Sequence, residues 1–230
     1  MKQLDEAIFI HRIPYSESSL IVTFLTKEHG YHKFLFKGGK KRSHQLYPLS
    51  VSEIEFYARK ESDLWNVTSA DPAFVQNIQF DPVKSTIAFF IADVLNMVLR
   101  GTEKDASLYN FVRNSIEQLN DHEELGLFPS LFLIGLTKQL GVQPLIEDEE
   151  NKWLDLKAGS IGGYREIDTI SIEGVLVDVI VSKLRDQPRS IELNKVQRQE
   201  LLRVLLDYYK IHVPGFKEPG TYDIIREILS

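Results

Sequence analysis

The 230-residue chain has no cysteine. That single absence excludes disulfides, thiolate metal sites and a cysteine nucleophile, and it is compatible with a reducing cytoplasm. Long apolar runs are missing as well. None approaches the roughly 20 residues needed to span a bilayer, so no membrane segment is predicted. The opening Met1-Lys2-Gln3-Leu4-Asp5-Glu6 is acidic and the apolar run after it is short, which argues against a signal peptide. Internal repeats and low-complexity tracts are also absent. What remains is an ordinary globular composition, 43% hydrophobic and 26% charged, with length for one large domain or two small ones.

Patterns for bond-making chemistry are equally scarce. Gly38-Gly39-Lys40-Lys41 lacks the spacing of a phosphate loop and the helix that should follow one. His29 and His32 stand near Glu28 across a turn, but no second ligand pair completes a metal site. His29 reads instead as a turn histidine and His32 as a partly buried strand histidine. The acidic run Glu147 to Glu150 reads as a solvated loop, and no Ser/His/Asp arrangement has a recognisable elbow. The sequence therefore predicts no metal, no cofactor and no enzyme.

Charge is unevenly distributed. The chain carries a net charge of -6, yet Lys27, Lys33, Lys37, Lys40, Lys41 and Arg42 face only one acid, Glu28, in a short stretch. A basic island in an acidic chain attracts polyanions whatever the net charge. It also has a plain structural use, because lysines protect exposed strand edges.

The first 70 or so residues have strand character. Ala7 to His11, Ser19 to Thr26, Tyr31 to Lys37, Val51 to Ala58 and Leu64 to Thr68 are β-rich runs separated by turn residues. In the third run His32, Phe34 and Phe36 point one way, and Tyr31, Lys33, Leu35 and Lys37 point the other. Ile54 and Phe56 oppose Glu53, Glu55 and Tyr57 in the fourth. Five short strands without a helical period suit a closed OB-fold barrel. The basic run after Lys37 is then a glycine turn at a hairpin tip.

Helical spacing takes over at Asp81-Pro82, an N-cap followed by proline at the first helical position. Helices are predicted over 82–99, from Asp105 to about Leu119, and over 127–140, the last stopped by Gly141. The stretch 141–165 is irregular, and helix returns over Ile172 to Leu184. Asn194 and Gln197 have capping-box spacing ahead of a helix reaching about Ile211, and Thr221 to Leu229 forms a last one. The expected class is α+β: an OB-fold barrel over 1–75, then an all-helical domain over 76–230.

One combination of residues resembles a known family. Ala7-Ile8, Tyr15-Ser16-Glu17-Ser18-Ser19, Leu25-Thr26-Lys27-Glu28-His29-Gly30 and Lys37-Gly38 with Lys40-Lys41-Arg42-Ser43 are similar, in order and spacing, to the N-terminal domain of the bacterial recombination mediator RecO family. The helical remainder is similar in layout. The resemblance implies a non-enzymatic protein of the cytoplasm, associated with the nucleoid. Such a protein binds single- and double-stranded DNA, anneals complementary strands, and works with a RecR-like partner to load recombinase onto strands coated by single-stranded DNA-binding protein (SSB). Some members carry a four-cysteine zinc module where this chain has 141–165, so zinc is not expected here.

Residue by residue, the DNA-binding expectation falls on Lys27, Tyr31, Lys33, Lys37, Lys40, Lys41 and Arg42, which supply cations for phosphates and an aromatic face for a base. Arg59 and Lys60 are weaker candidates. The family also implies docking of the acidic SSB C-terminal tail, whose pocket needs an apolar cleft with a cation at its mouth. Lys138, Arg198 and Arg203 are the candidates for that cation. An alternative of another class is an OB-fold interaction scaffold that binds RNA or an acidic protein tail.

Overall fold

A computed structural model describes residues 2–42, 45–58, 62–148, 153–162, 170–187 and 191–228. Arg59, Lys60 and the far ends of the acidic run and of the 159–163 glycine loop lie outside them. The chain divides into two compact units, one formed by Met1–His122 with Pro219–Thr221 and the other by the rest.

In the first unit five strands close a barrel: β1 (Lys2–Pro14), β2 (Leu20–Thr26), β3 (Gly30–Phe36), β4 (Val51–Tyr57) and β5 (Leu64–Pro72). Their order is β1-β2-β3-β5-β4, and β4 pairs back onto β1. The β3–β5 pair is parallel and the others are antiparallel, so the fifth strand inserts between the third and fourth. This is the OB-fold expected from the strand pattern. Alternation places Phe9, Phe24, Phe34, Phe36 and Phe56 inside, each at most 2% exposed. Their rings meet edge to face across the strands, with centroids 5.8 Å apart for Phe9–Phe24, 5.7 Å for Phe24–Phe34 and 5.3 Å for Phe34–Phe56. Such pairs add roughly 0.5–1.5 kcal/mol each beyond burial.

Two helices complete this unit, α2 (Pro82–Val98) and α3 (Ala106–Asp121). Both start at the predicted aspartates: Asp81 accepts from the Val83 and Lys84 amides, and Asp105 from those of Ser107 and Leu108. Polar contacts tie them to the barrel. Tyr31 donates to Asn96 Oδ1 at 2.8 Å, and buried Tyr109 donates to Glu6 Oε1 at 2.9 Å. The basic tip is not an open glycine turn but a single helical turn, α1 (Gly39–Arg42). Gly39 permits it, since a Cβ there would stand 3.0 Å from the Phe36 ring.

The second unit contains α4 (Phe128–Gln139), α5 (Val175–Leu184), α6 (Lys195–His212) and α7 (Tyr222–Ile228). Both bonds of the Asn194–Gln197 capping box are present at the start of α6. The buried Tyr209 of α6 donates to the Leu133 carbonyl of α4 at 2.8 Å. The irregular stretch resolves into a four-stranded sheet of very short strands, β6 (Leu145–Ile146), β7 (Trp153–Asp155), β8 (Ser160–Ile161) and β9 (Ser171–Glu173), ordered β6-β8-β7-β9. Ile172, expected in a helix, therefore sits in a strand, and the helix begins only after Gly174. The β-branched Ile172 pairs with Leu154 of β7, a long-range contact that overrides the local period. Trp153, Leu154, Leu156 and Ile161 give this sheet an apolar anchor without thiolates. Tyr208 and His212 of α6 hold its flanks through the carbonyls of Val142 and Leu156, both at 2.7 Å.

Candidate nucleic-acid interface

Alternation along β3 exposes Lys33 and sends Phe34 and Phe36 inward. Lys37 follows at the strand's end, where the chain turns into α1 and exposes Lys40 and Lys41. The turn is held by the Lys40 amide donating to Ser18 O at 3.2 Å and the Lys41 amide donating to Gly38 O at 3.2 Å. No ion pair joins Lys33, Lys37, Lys40 or Lys41 among the described residues, so their ammonium groups stand open to solvent.

Arg42 behaves differently from these lysines. Its guanidinium donates to the Thr68 carbonyl at 3.0 Å and to the Lys37 carbonyl, and lies 4.7 Å from the centre of the Phe36 ring. It clasps the helical turn to β3 and β5 while keeping its charge.

The remaining candidates lie elsewhere. Lys27 is exposed at the Gly30 end of β3, about 20 Å of strand from the Phe36 end. Beside it, Glu28 pairs with Lys104 at 2.6 Å. Tyr31 is half-buried, its hydroxyl is bound to Asn96, and burial pushes its pKa up. Its ring therefore faces α2. The structure groups Lys37, Lys40, Lys41 and Arg42 at one rim of the barrel, and brings neither Lys27 nor Tyr31 to that rim.

A groove opens beside the rim, about 570 Å³ in volume and lined by Lys37, Arg42, Tyr57, Ala58, Asn66, Val67 and Thr68. Its aromatic member is Tyr57, 45% exposed. Alternation along β4 places Tyr57 on its outer face, but no local pattern in the sequence connects it to Lys37. The connection runs through β5: Leu35 of β3 stands opposite Asn66, and Asn66 stands opposite Tyr57. Only the insertion of β5 between β3 and β4 makes that row.

His29 and His32 have structural partners. His29 Nδ1 lies 3.0 Å from Oδ2 of buried Asp5, whose carboxylate also accepts from the Glu28 amide at 3.0 Å. His32 stacks on Trp65 with centroids 3.8 Å apart, and its burial lowers its pKa. Among the described residues no group of three or more His, Cys, Asp or Glu is placed to hold a metal ion.

In the second unit a cleft of about 360 Å³ is lined by Leu127, Leu131, Val179, Lys183, Asp186 and Ile191 among others. Lys138 reaches its rim by pairing with Asp186 at 2.9 Å, which holds the Asp186 carboxyl below its ordinary pKa. Arg198 is half-buried against Gly126, where a Cβ would stand 2.4 Å from its Nη1. Arg203 is exposed, lies 3.7 Å from Asp207, and lines neither this cleft nor the groove of the first unit. Among the described residues no helix is long and apolar enough to cross a membrane.

Residues 1–74 match the family profile described as Recombination protein O N terminal, and residues 79–151 match Recombination protein O C terminal. Over its full length the chain is 30% identical to the DNA repair protein RecO of Flavobacterium johnsoniae, and that protein is likewise covered completely. It is 28% identical to the protein of the same name from Flavobacterium psychrophilum, with both chains fully covered. For the Christiangramia forsetii protein the identity is 28%, with 98% of each chain covered.

Proposed function

The chain belongs to the DNA repair protein RecO family, and from that premise we propose that it is a DNA-binding recombination mediator. In this reading it anneals complementary strands and helps load recombinase onto SSB-coated single strands, without covalent catalysis, in the cytoplasm at the nucleoid. The observation that carries the reading is the barrel rim, where Lys37, Lys40 and Lys41 are exposed and free of ion pairs among the described residues. Phosphates need cations that are not already neutralised, and these three qualify. Arg42 adds charge from a fixed position. Lys33 extends the cationic edge along β3, and Lys27 serves as an outlying contact for a longer strand.

Partners follow the same logic. We propose that the acidic SSB tail docks in the α4–α5 cleft, where Leu127, Leu131 and Val179 offer an apolar floor, Lys183 lines the wall and Lys138 is paired with the lining Asp186. Lys138 would exchange Asp186 for a tail carboxylate. A RecR-like protein is the further partner that family membership brings.

The test is fluorescence anisotropy with labelled single-stranded DNA at two salt concentrations, followed by strand annealing with chelator present. Binding that weakens steeply as salt rises, with annealing unaffected by chelator, is expected. Salt-independent binding, or annealing lost with chelator, would overturn the reading.

A further inference from the structure

The groove beside the rim contains three groups without a hydrogen bond or ion pair among the described residues, and their chemistry is complementary. Its other polar members are engaged. The Arg42 guanidinium holds the carbonyls of Lys37 and Thr68, and the Thr68 hydroxyl donates to the Glu55 carbonyl at 3.1 Å. The Glu55 carboxylate, the nearest acid along β4, is paired with Lys2 at 2.7 Å. Left over are the Lys37 ammonium, the exposed Tyr57 ring, and the Asn66 side-chain amide, which makes no hydrogen bond among the described residues. Asn66 and Tyr57 are direct neighbours across the β4–β5 pair.

We propose that this groove is a subsite for one unpaired nucleotide, with the base stacked on Tyr57, its edge bonded to the Asn66 amide and its phosphate held by Lys37. An aromatic face accepts any base, and an amide offers both a donor and an acceptor, so the subsite tolerates sequence. It does not tolerate pairing. A base within a duplex is stacked on both faces and presents neither to a side chain. The subsite therefore makes this edge of the barrel prefer single strands, whereas the lysines of the rim contact the phosphates of either form. This deepens the DNA-binding reading and rests on it.

The experiment uses the full chain and two probes of equal length and charge, a short oligothymidylate and its abasic counterpart. The unaltered protein should bind the base-bearing probe more tightly by about 5- to 160-fold, the range that one base–aromatic stack supplies. Tyr57→Ala should abolish that discrimination, and Tyr57→Phe should retain it, both with unchanged melting temperature. Lys37→Ala should weaken both probes alike. If the unaltered protein binds the two probes equally while rim-lysine variants weaken both, the nucleotide subsite is wrong and DNA binding stands. If the rim-lysine variants change neither affinity, the DNA-binding reading fails with it. An acidic peptide that displaces the base-bearing probe from the unaltered protein but not from Tyr57→Phe would assign the groove to a protein ligand instead.

Discussion

At Arg42 the guanidinium binds two carbonyls and covers the Phe36 ring, whereas the ammonium groups of Lys37, Lys40 and Lys41 hold no ion-pair partner among the described residues. Equal charges thus have unequal structural duties. Replacing the three lysines by Ala should weaken single-stranded DNA binding and flatten the log–log salt slope by about 0.7 per lost contact. The melting temperature should stay the same, because exposed unpaired charges contribute little to folding. Arg42→Ala should instead lower the melting temperature by about 2–4 °C, the shift that one lost interaction produces in a chain this size. A thermal scan of both variants separates clasp from contact. His32 supplies a second test. Burial against Trp65 lowers its pKa, with His29 acting in the same direction and Asp63 opposing. The unfolded chain then binds a proton more readily than the folded one. His32's share of stability is complete above pH about 6.5 and declines as the pH falls towards its lowered folded value. Urea titrations between pH 5 and 8 should show a shallower acid loss in His32→Gln than in the unaltered protein. Equal slopes would exclude His32 as the titrating group.

Among the elements, the small sheet β6–β9 is the most exacting about backbone shape. Gly162 has φ of +78°, and a Cβ there would stand 2.4 Å from the Asp148 carbonyl oxygen. Gly215, with φ of +74°, has open space in the same direction. Gly215→Ala should cost only the left-handed strain, about 1–2 kcal/mol. Gly162→Ala should cost about 2 kcal/mol more, since backbone atoms must move to admit the methyl group. Urea midpoints of the two variants make the comparison, and equal losses would mean that the sheet gives way freely. DNA affinity should be unchanged in both. Trp153, Leu154 and Ile161 are buried in this sheet, and Tyr208 and His212 of α6 bond to the carbonyls of Val142 and Leu156 at its flanks.

For the whole molecule, compactness sets where the chain can be cut. Tyr31, Glu6 and Glu28 of the barrel have partners at Asn96, Tyr109 and Lys104, all beyond residue 80. A fragment ending at residue 122 should therefore unfold cooperatively and bind single-stranded DNA within a few-fold of the full chain. One ending near residue 80 should melt at lower temperature or aggregate, because it loses these partners and uncovers apolar surface that α2 covers. A shorter fragment as stable as the longer one would show that the barrel needs neither helix. Under the docking proposed above, neither fragment should bind an acidic tail peptide, because the cleft belongs to the second unit.

Much of the architecture is written locally. Period-two alternation is enough to send Phe34, Phe36, Ile54 and Phe56 inward, and Asp81, Asp105 and Asn194 announce helix starts because a cap acts on amides two or three residues away. The basic run is visible as charge alone. What lies beyond a few residues' reach was decided by the tertiary structure. Strand order is one such choice: β5 enters between β3 and β4, and so Tyr57 comes to Asn66 and the Lys37 side of the barrel. The packing of α2 on the barrel turns Tyr31 towards Asn96, although alternation put it on the same face as Lys33. Arg42 folds back because Thr68, 26 residues later, presents a carbonyl there. In each case the partner is remote in the chain and is chosen by the joint burial of many side chains, which no short window of sequence contains.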